Sequence, residues 1–224
     1  MGFLEKCHFD RLSSNIVSKC KSFECKNDAD ISMFFHDDFP DNYSDYQKEM
    51  MATTHCFYTE EEFPSMVCAF SLSSTALRVD YLPSNIRNRF NRTRRIPNNK
   101  RRAQYPAVLI GQLCVFDGFG RSVLPGADVG KEMMDLIKTM ALNPENNIAT
   151  RYLVVDATNN PKVLDYYKRN GFNFLFNSES DEYSYTHDQR VHGIKLFSCL
   201  KRKCDASKSL KTRLMYFDLI VLST

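Results

Sequence analysis

The 224-residue sequence has no long apolar run and no export signal. Nowhere do about 18 apolar residues follow one another, the length that a membrane-spanning helix requires. The first residues, MGFLEKCHFD, have neither the basic start nor the apolar stretch of a secretory signal peptide. We therefore expect a soluble cytoplasmic protein without membrane association. The length favours a single domain over 1–224.

Closely spaced cysteine pairs are also missing. The eight cysteines are scattered, and no CxxC motif occurs. Structural zinc sites usually need ligand pairs at short, repeated spacing, and disulfide frameworks are typical of exported domains. The sequence therefore predicts reduced thiols and no metal. Cys114 lies within an apolar run, where a cysteine packs as a small hydrophobic side chain.

Acidic residues are absent between Tyr81 and Phe116. We predict a basic insertion at about 83–105, and its candidate RNA-binding residues are Arg94, Arg95, Arg101 and Arg102. The prolines of this stretch allow at most a short helix. Two interpretations stay open. A single basic run is more often a solvated loop, but it can also neutralise the phosphates of a partner.

Capping residues mark the first helices. Asp28 and Asp30 precede a short apolar face, which predicts a helix there, and 43–50 is typical of a second helical segment. The β-rich runs 53–58 and 65–73 enclose an acidic turn. The simplest prediction for these two runs is a hairpin.

Strands and helices alternate between residues 107 and 176. The pattern predicts a strand at 107–116, a helix at 130–142, a strand at 151–156, a helix from Pro161 to Gly171 and a strand at 172–176. A last strand is predicted at 213–222. Such alternation favours a mixed α/β sheet around a nucleotide-like ligand.

The usual phosphate-binding loops are absent. Residues 124–133, LPGADVGKEM, include a glycine turn before a predicted helix. A Walker A loop needs four residues between its glycines and a Ser or Thr after the lysine, whereas here three residues separate Gly126 from Gly130 and Glu132 follows Lys131. The Rossmann pattern GxGxxG does not occur.

Four consecutive segments fit a different pattern. They are a strand ending Gly-Gln-Leu-Cys-Val, a glycine-containing turn into a helix, a strand ending Val-Val-Asp, and NNPKVLDYYKRNGF at 159–172. This set resembles the GNAT superfamily of acetyl-CoA-dependent N-acetyltransferases. The resemblance implies an α/β (α+β) fold: a mixed, mostly antiparallel central sheet of about six to seven strands with helices on both faces. It places the acetyl-CoA-binding core at about 107–176.

The resemblance also implies residue roles. An amine attacks the acetyl thioester directly, acetyl-CoA is the co-substrate, and Tyr167 matches the tyrosine near the sulfur, protonated at neutral pH. Tyr166 would face elsewhere on the helix. Strand-end amides would bind the oxyanion, and no residue stands out as the base. The residues implied to bind acetyl-CoA are Leu113, Cys114, Val115, Arg121, Gly126, Val129, Gly130, Lys131 and Asn160, the last of which could instead cap its helix.

Asp128 departs from the GNAT pattern. It stands where the pyrophosphate loop usually has glycine, Pro125 stands where Gln or Arg is usual, and the connection is longer than normal. Either Gly126 and the longer loop restore the amide cradle while Asp128 points outward, or acetyl-CoA binds weakly. We favour the first, because Arg121 and Lys131 could offset the pyrophosphate charge.

The acceptor is the least specified part of the resemblance. The chain is similar to bacterial members related to tRNA-acetylating toxins, and the basic stretch would suit an aminoacyl-tRNA. A protein amine or a small amine is an alternative, but a polyamine is disfavoured if arginines line the acceptor cleft. A degenerate fold that binds RNA or regulates without catalysis is a further alternative. We also expect a homodimer.

Overall fold

Seven strands form one sheet in the computed structural model of the chain, in the order β1-β2-β3-β4-β5-β7-β6. The structure describes residues 2–25, 28–80, 82–91, 103–183 and 210–222. The strands are β1 (His8–Arg11), β2 (Thr53–Tyr58), β3 (Met66–Arg78), β4 (Gln104–Val115), β5 (Tyr152–Thr158), β6 (Asn173–Phe174) and β7 (Thr212–Asp218).

Side-chain caps fix the starts of several helices. Asp28 accepts a hydrogen bond from the Ile31 amide, at 3.2 Å, and Asn160 accepts one from the Lys162 amide, at 2.9 Å. Each cap satisfies an amide that has no partner within its helix. The helices are α1 (Ser14–Lys19), α2 (Ala29–Phe34), α3 (Tyr43–Lys48), α4 (Ser84–Asn91), α5 (Val129–Leu142) and α6 (Pro161–Arg169), with 3₁₀ turns at Leu4–Lys6 and Leu219–Leu222.

Most of the sheet is antiparallel. The one parallel pair within the described chain is β4 with β5, and every other neighbouring pair runs antiparallel. A parallel pair needs a crossover connection, which α5 provides between these two strands. The predicted fold class, a mixed and mostly antiparallel sheet with helices on both faces, is confirmed.

The two faces of the sheet are covered differently. The α5–α6 face, which carries Phe70, Ile110 and Val155, forms one continuous core with these two helices. The α1–α4 face carries two separate cores. One packs α1, α2 and α3 over Ala69 and Cys114, and the other packs α4 and the segment 175–176 over the tyrosines Tyr105, Tyr152 and Tyr216.

A β-bulge interrupts β4 between these two cores. Phe70 pairs with Leu113 and Leu72 with Ile110, so Ser71 alone faces both Gly111 and Gln112. A bulge bends its strand and locally disrupts the ladder. It lies where β4 begins to leave β5.

Most predicted elements are present, with altered ends. The predicted hairpin is confirmed as β2 and β3, but β3 continues to Arg78. β4 starts earlier, at Gln104, and includes Pro106, whose carbonyl accepts from the Arg151 amide at 2.9 Å. Because the N–H and C=O of one strand residue point to the same side, the missing proline N–H removes no bond to β3.

Three predictions were incomplete. The strand predicted at 172–176 reduces to two residues, β6, and β7 ends at Asp218 rather than Leu222. Neither β1 nor α1 was predicted. All four residues of β1 are exposed, so this strand lacks the alternation by which half-buried strands are recognised.

Candidate active site

The parallel strands β4 and β5 separate along their length. They pair only from Ala107 with Tyr152 to Ile110 with Val155. Beyond that point β4 continues to pair with β3, up to Val115, while β5 continues to pair with β7. A wedge-shaped gap therefore opens between the far halves of β4 and β5. Amides of alternate residues on that edge of β4 point into the gap rather than toward β3.

The predicted oxyanion-binding residues lie on this open edge. Leu113, Cys114 and Val115 form the last part of β4. The Cys114 side chain is buried in the core below α2, and hydrogen bonding with Cys25 together with burial raises the pKa of its thiol. Cys114 can therefore contribute only its backbone to this site.

Tyr167 lies in the core of the α5–α6 face. Helix α6 packs against β5, and the ring of Tyr167 contacts that of Phe172, with 5.3 Å between centroids. The side chain is 6% exposed, and burial raises the pKa of its phenol. Its hydroxyl makes no hydrogen bond with any described residue. A protonated phenol with an unused donor is what a general acid requires.

Tyr166 has a different task. Its ring is inclined by 71° to that of Tyr167, and its hydroxyl donates to the Gly130 carbonyl at 2.7 Å. A Cβ at position 130 would lie 3.1 Å from the Tyr166 ring. Glycine at 130 therefore permits α6 to approach the first turn of α5 closely.

The turn before α5 ends on a carboxylate. Gly126 has φ of +95°, a conformation that favours glycine. Asp128 then caps α5, because its Oδ1 accepts from the Lys131 amide at 3.2 Å. The amides of Val129 and Gly130 have no partner among the described residues. The interpretation in which Asp128 points outward is wrong, since its side chain faces the helix amides.

The cations near this turn are paired internally. Arg121 contacts Asp128 at 2.8 Å, and Lys131 forms an ion pair with Asp135. Glu132 accepts from the amides of Phe3 and Leu4, at 3.1 and 2.8 Å. Two cationic side chains thus face three carboxylates around the start of α5. No sequence pattern indicated that the first residues would contact α5.

A cleft of about 630 Å³ opens on the α1–α4 face, between its two cores. Ser71, Ser73, Leu109 and the bulge residues form the floor, and α2 and α3 form one side. This cleft reaches β4 where the strand leaves β5. Tyr167 therefore lies in the core on one face of the sheet, and the cleft opens on the other face.

Solved structures share this architecture across nearly the whole chain, although no protein-family model and no curated protein matches the sequence. A KacT mutant superposes with a TM-score of 0.57 at 12% identity, covering 97% of this chain and 98% of KacT. AtaT complexed with acetyl-methionyl-tRNAfMet gives 0.56 at 12% identity, covering 97% of both chains. AtaTR bound with AcCoA gives 0.54 at 13% identity, covering 98% and 99%.

The chain shares the GNAT fold with these solved structures. At such low identity the likeness establishes the fold and not the activity. The segment NNPKVLDYYKRNGF, which carries the resemblance to the GNAT pattern, forms α6 and the start of the following turn.

Asn160 lies within the described part of the chain, whereas the predicted RNA-binding arginines do not. Asn160 caps α6 through its Oδ1, while its Nδ2 group donates to no described residue and can still donate to a ligand. Arg94, Arg95, Arg101 and Arg102 lie outside the described residues. Arg89, earlier in the same basic stretch, donates to Asn177 at 2.7 Å and so anchors α4.

Metal ligands do not cluster in the described ranges, where no group of three or more His, Cys, Asp or Glu side chains could hold an ion. Of the helices in the described part of the chain, none combines the length and the apolarity that crossing a bilayer requires.

Proposed function

We propose that the chain is an acetyl-CoA-dependent N-acetyltransferase in which a primary amine attacks the thioester directly. The observation that carries this proposal is the position of Tyr167 in the core of the α5–α6 face, as a buried phenol with a raised pKa whose hydroxyl bonds to no described residue. A GNAT fold alone would not carry it, because one fold can serve several functions.

The residues around the gap suit the chemistry. The amine nitrogen forms a bond to the carbonyl carbon, and the carbon–sulfur bond breaks. Amides on the open edge of β4 can stabilise the negative charge that develops on the carbonyl oxygen. Tyr167 donates its proton to the departing thiolate and is reprotonated by the proton that the amine releases, through solvent.

The fit to acetyl-CoA differs along its length. The open edge of β4 and the free Nδ2 group of Asn160 suit the thioester and pantetheine parts, which need hydrogen-bond donors. The pyrophosphate would lie at Val129 and Gly130, whose amides are free, between Arg121 and Lys131. Both of these cations already have carboxylate partners. We therefore expect binding that is weaker than a glycine turn would give.

We propose the amino group of an aminoacyl-tRNA as the acceptor. AtaT has been solved with acetyl-methionyl-tRNAfMet, and the basic stretch 83–105 would suit an RNA backbone. A protein amine or a small amine is the alternative acceptor. The homodimer and the cytoplasmic location also stay predictions.

The first experiment asks which molecules receive the acetyl group. The protein is incubated with labelled acetyl-CoA and either total cell RNA or total cell protein. Label in intact RNA that disappears after mild alkaline deacylation supports an aminoacyl acceptor. Label in protein with none in RNA would refute the tRNA acceptor while keeping the acetyltransferase.

A second candidate function is a non-catalytic RNA-binding or regulatory module. Asp128 favours this second function, because its carboxylate accepts a hydrogen bond from the Lys131 amide at the place where a phosphate would bind. Titration calorimetry with acetyl-CoA decides between the two. No detectable heat at millimolar acetyl-CoA would remove the enzyme proposal and leave the module.

A further inference from the structure

The floor of the cleft contains an unused polar group. Ser71 is 3% exposed, and its remaining exposed surface lines the cleft. Its hydroxyl makes no hydrogen bond with any described residue. Buried hydroxyls are usually hydrogen-bonded, so an unpartnered one at a cleft floor indicates a place for a ligand group. Ser71 is also the residue opposite the bulge.

The side of the cleft is acidic. Asp30 and Asp41 both line it, and none of the described lining residues is Lys, Arg or His. Neither carboxylate has a hydrogen bond or ion pair within the described part of the chain. Two uncompensated carboxylates in a concave site attract a cation and repel an anion.

The position of Asp41 is fixed by its neighbour. The buried Asn42 accepts from the amides of Ser44 and Asp45, at 2.8 and 3.2 Å, and donates to the carbonyls of Asp37 and Phe39. Asp41 itself has φ of +58°, in the left-handed region that most non-glycine residues avoid. The loop before α3 therefore holds the backbone of Asp41 in one conformation.

Apolar side chains stand beside the carboxylates. Met33, Tyr46 and Met51 line the cleft and are 39%, 38% and 60% exposed. Large apolar side chains with this exposure suit an apolar group of a ligand. The Tyr46 ring can also attract a cation through its π face.

We propose that this cleft binds the reactive end of the acceptor as an ammonium group attached to an apolar side chain, with Ser71, Asp30 and Asp41 as specificity determinants. The bound ammonium loses one proton to solvent before the neutral amine attacks the thioester. Acceptor ends that carry a negative charge are rejected. This proposal rests on the proposed acetyl transfer for its purpose, but its binding test needs no acetyl-CoA. It concerns the aminoacyl end only, and phosphates of a longer acceptor would lie outside the cleft.

The charge of this cleft also decides whether a polyamine could be the acceptor. The sequence disfavours a polyamine only if arginines line the acceptor cleft. The described lining is acidic instead, so it gives no repulsion against a polyamine. A polyamine lacks the apolar side chain that Met33, Tyr46 and Met51 accommodate, so an apolar aminoacyl end fits better.

The test compares three small probes at pH 6.5, below the usual α-amino pKa of about 7.7–8.0. Leucinamide is cationic, 4-methylpentanamide has the same shape without the ammonium, and isoglutamine adds a carboxylate. We expect leucinamide to bind about tenfold tighter than 4-methylpentanamide, if each carboxylate contributes about threefold. Isoglutamine should bind weakest. Equal affinities for all three would overturn the proposal.

Matched variants locate the effect. Asp30→Asn and Asp41→Asn remove charge, and asparagine also tolerates positive φ at 41. Each should lower leucinamide affinity about threefold and leave 4-methylpentanamide unchanged. Asp38→Asn makes the same charge change in the same loop outside the described cleft lining, and should have no effect. An equal loss in Asp38→Asn would refute the cleft as the site.

Methyl NMR shows where the probes bind. With ¹³C-methyl methionine, leucinamide should shift the signals of Met33 and Met51, while the buried Met133 and Met134 on the other face should not move. If acetyl-CoA never binds but leucinamide still prefers this cleft, the transfer proposal fails and the cleft proposal stands. If acetyl transfer proceeds equally to leucinamide and isoglutamine, the transfer proposal stands and the cleft proposal fails.

Discussion

At the thioester end of the proposed acetyl-CoA path, β4 and β5 separate and a free phenol lies in the core beside them. At the phosphate end, which comprises residues 121–135, every cationic side chain has a carboxylate partner. Asp128 there accepts a hydrogen bond from an amide in the first turn of α5. The first end depends on backbone geometry and one tyrosine. The second depends on local charge, and here this chain differs from the GNAT pattern.

This difference indicates which properties the fold maintains. A strand that leaves its neighbour keeps its open edge whatever side chains it carries, because the edge is made of backbone groups. The charge at a turn changes with a single substitution. Changing the charge at the phosphate end should therefore alter affinity without altering the reacting groups.

The largest effect is expected at the thioester end. Tyr167→Phe should lower kcat about 100-fold, as expected for loss of a general acid, with acetyl-CoA affinity retained. Stability should change little, because the hydroxyl has no partner among the described residues. Steady-state kinetics and calorimetry measure the two effects separately.

Tyr166→Phe is the matched control. It removes the bond to the Gly130 carbonyl and should cost about 1 kcal/mol of unfolding free energy, with kcat largely kept. A Tyr167→Phe variant with full turnover would exclude this phenol from the chemistry.

At the phosphate end, Asp128→Asn should tighten acetyl-CoA binding about fivefold at low salt, since asparagine keeps the cap and removes the charge. Arg121 would then be available to the pyrophosphate. The gain should shrink as ionic strength rises. Asp165→Asn, on exposed α6 surface, is the control. Unchanged or weaker binding in Asp128→Asn would mean that the carboxylate does not compete with phosphate.

A smaller effect is expected from the backbone of the turn. Gly126→Ala places a side chain at φ of +95°, which should cost about 1 kcal/mol and weaken acetyl-CoA binding. Nothing lies within 4 Å of the added Cβ, so the strain is not a clash. Gly120→Ala, in the same loop without positive φ, should be near neutral. Thermal melting with and without acetyl-CoA compares them.

The pH profile of kcat should show no alkaline decline over a wide range. Tyr167 donates only while protonated, and burial raises the pKa of its phenol above the usual value of about 10. Activity that depends on this proton is present below the raised pKa and lost above it. We therefore expect no alkaline decline of kcat up to pH 9.5. A decline with a midpoint near pH 8 would point to another acid.

Local signals predicted much of this fold. Helix caps and apolar strands depend on residues that are neighbours in the chain, so they could be predicted from the sequence. Examples are the caps at Asp28 and Asn160 and the strands before α5 and α6. Tyr167 was likewise placed by a short motif. β1 was missed because an exposed edge strand has no apolar alternation, and its pairing with β2 is a distant contact.

The parts of the site that could not be predicted all join distant segments. The side chain of Asp128 was expected to point outward, but it caps α5 because of the way the turn enters the helix. Asp30 was predicted only as part of a helix start, and its place in one cleft with Ser71 follows from packing of α2 over β4. Charge in a cleft is a property of the assembled chain.

The bulge at Gly111 and Gln112 puts the two halves of β4 out of phase. Tyr105, Ala107 and Leu109 share a face with Cys114 and Phe116, although strict alternation would place 113 and 115 there. If β4 kept all of its residues but paired with β3 without the bulge, Leu113 and Val115 would turn toward the cleft and Cys114 toward α5. Both layers of the protein would then be wrong at once, so the bulge is as constrained as the composition of the strand.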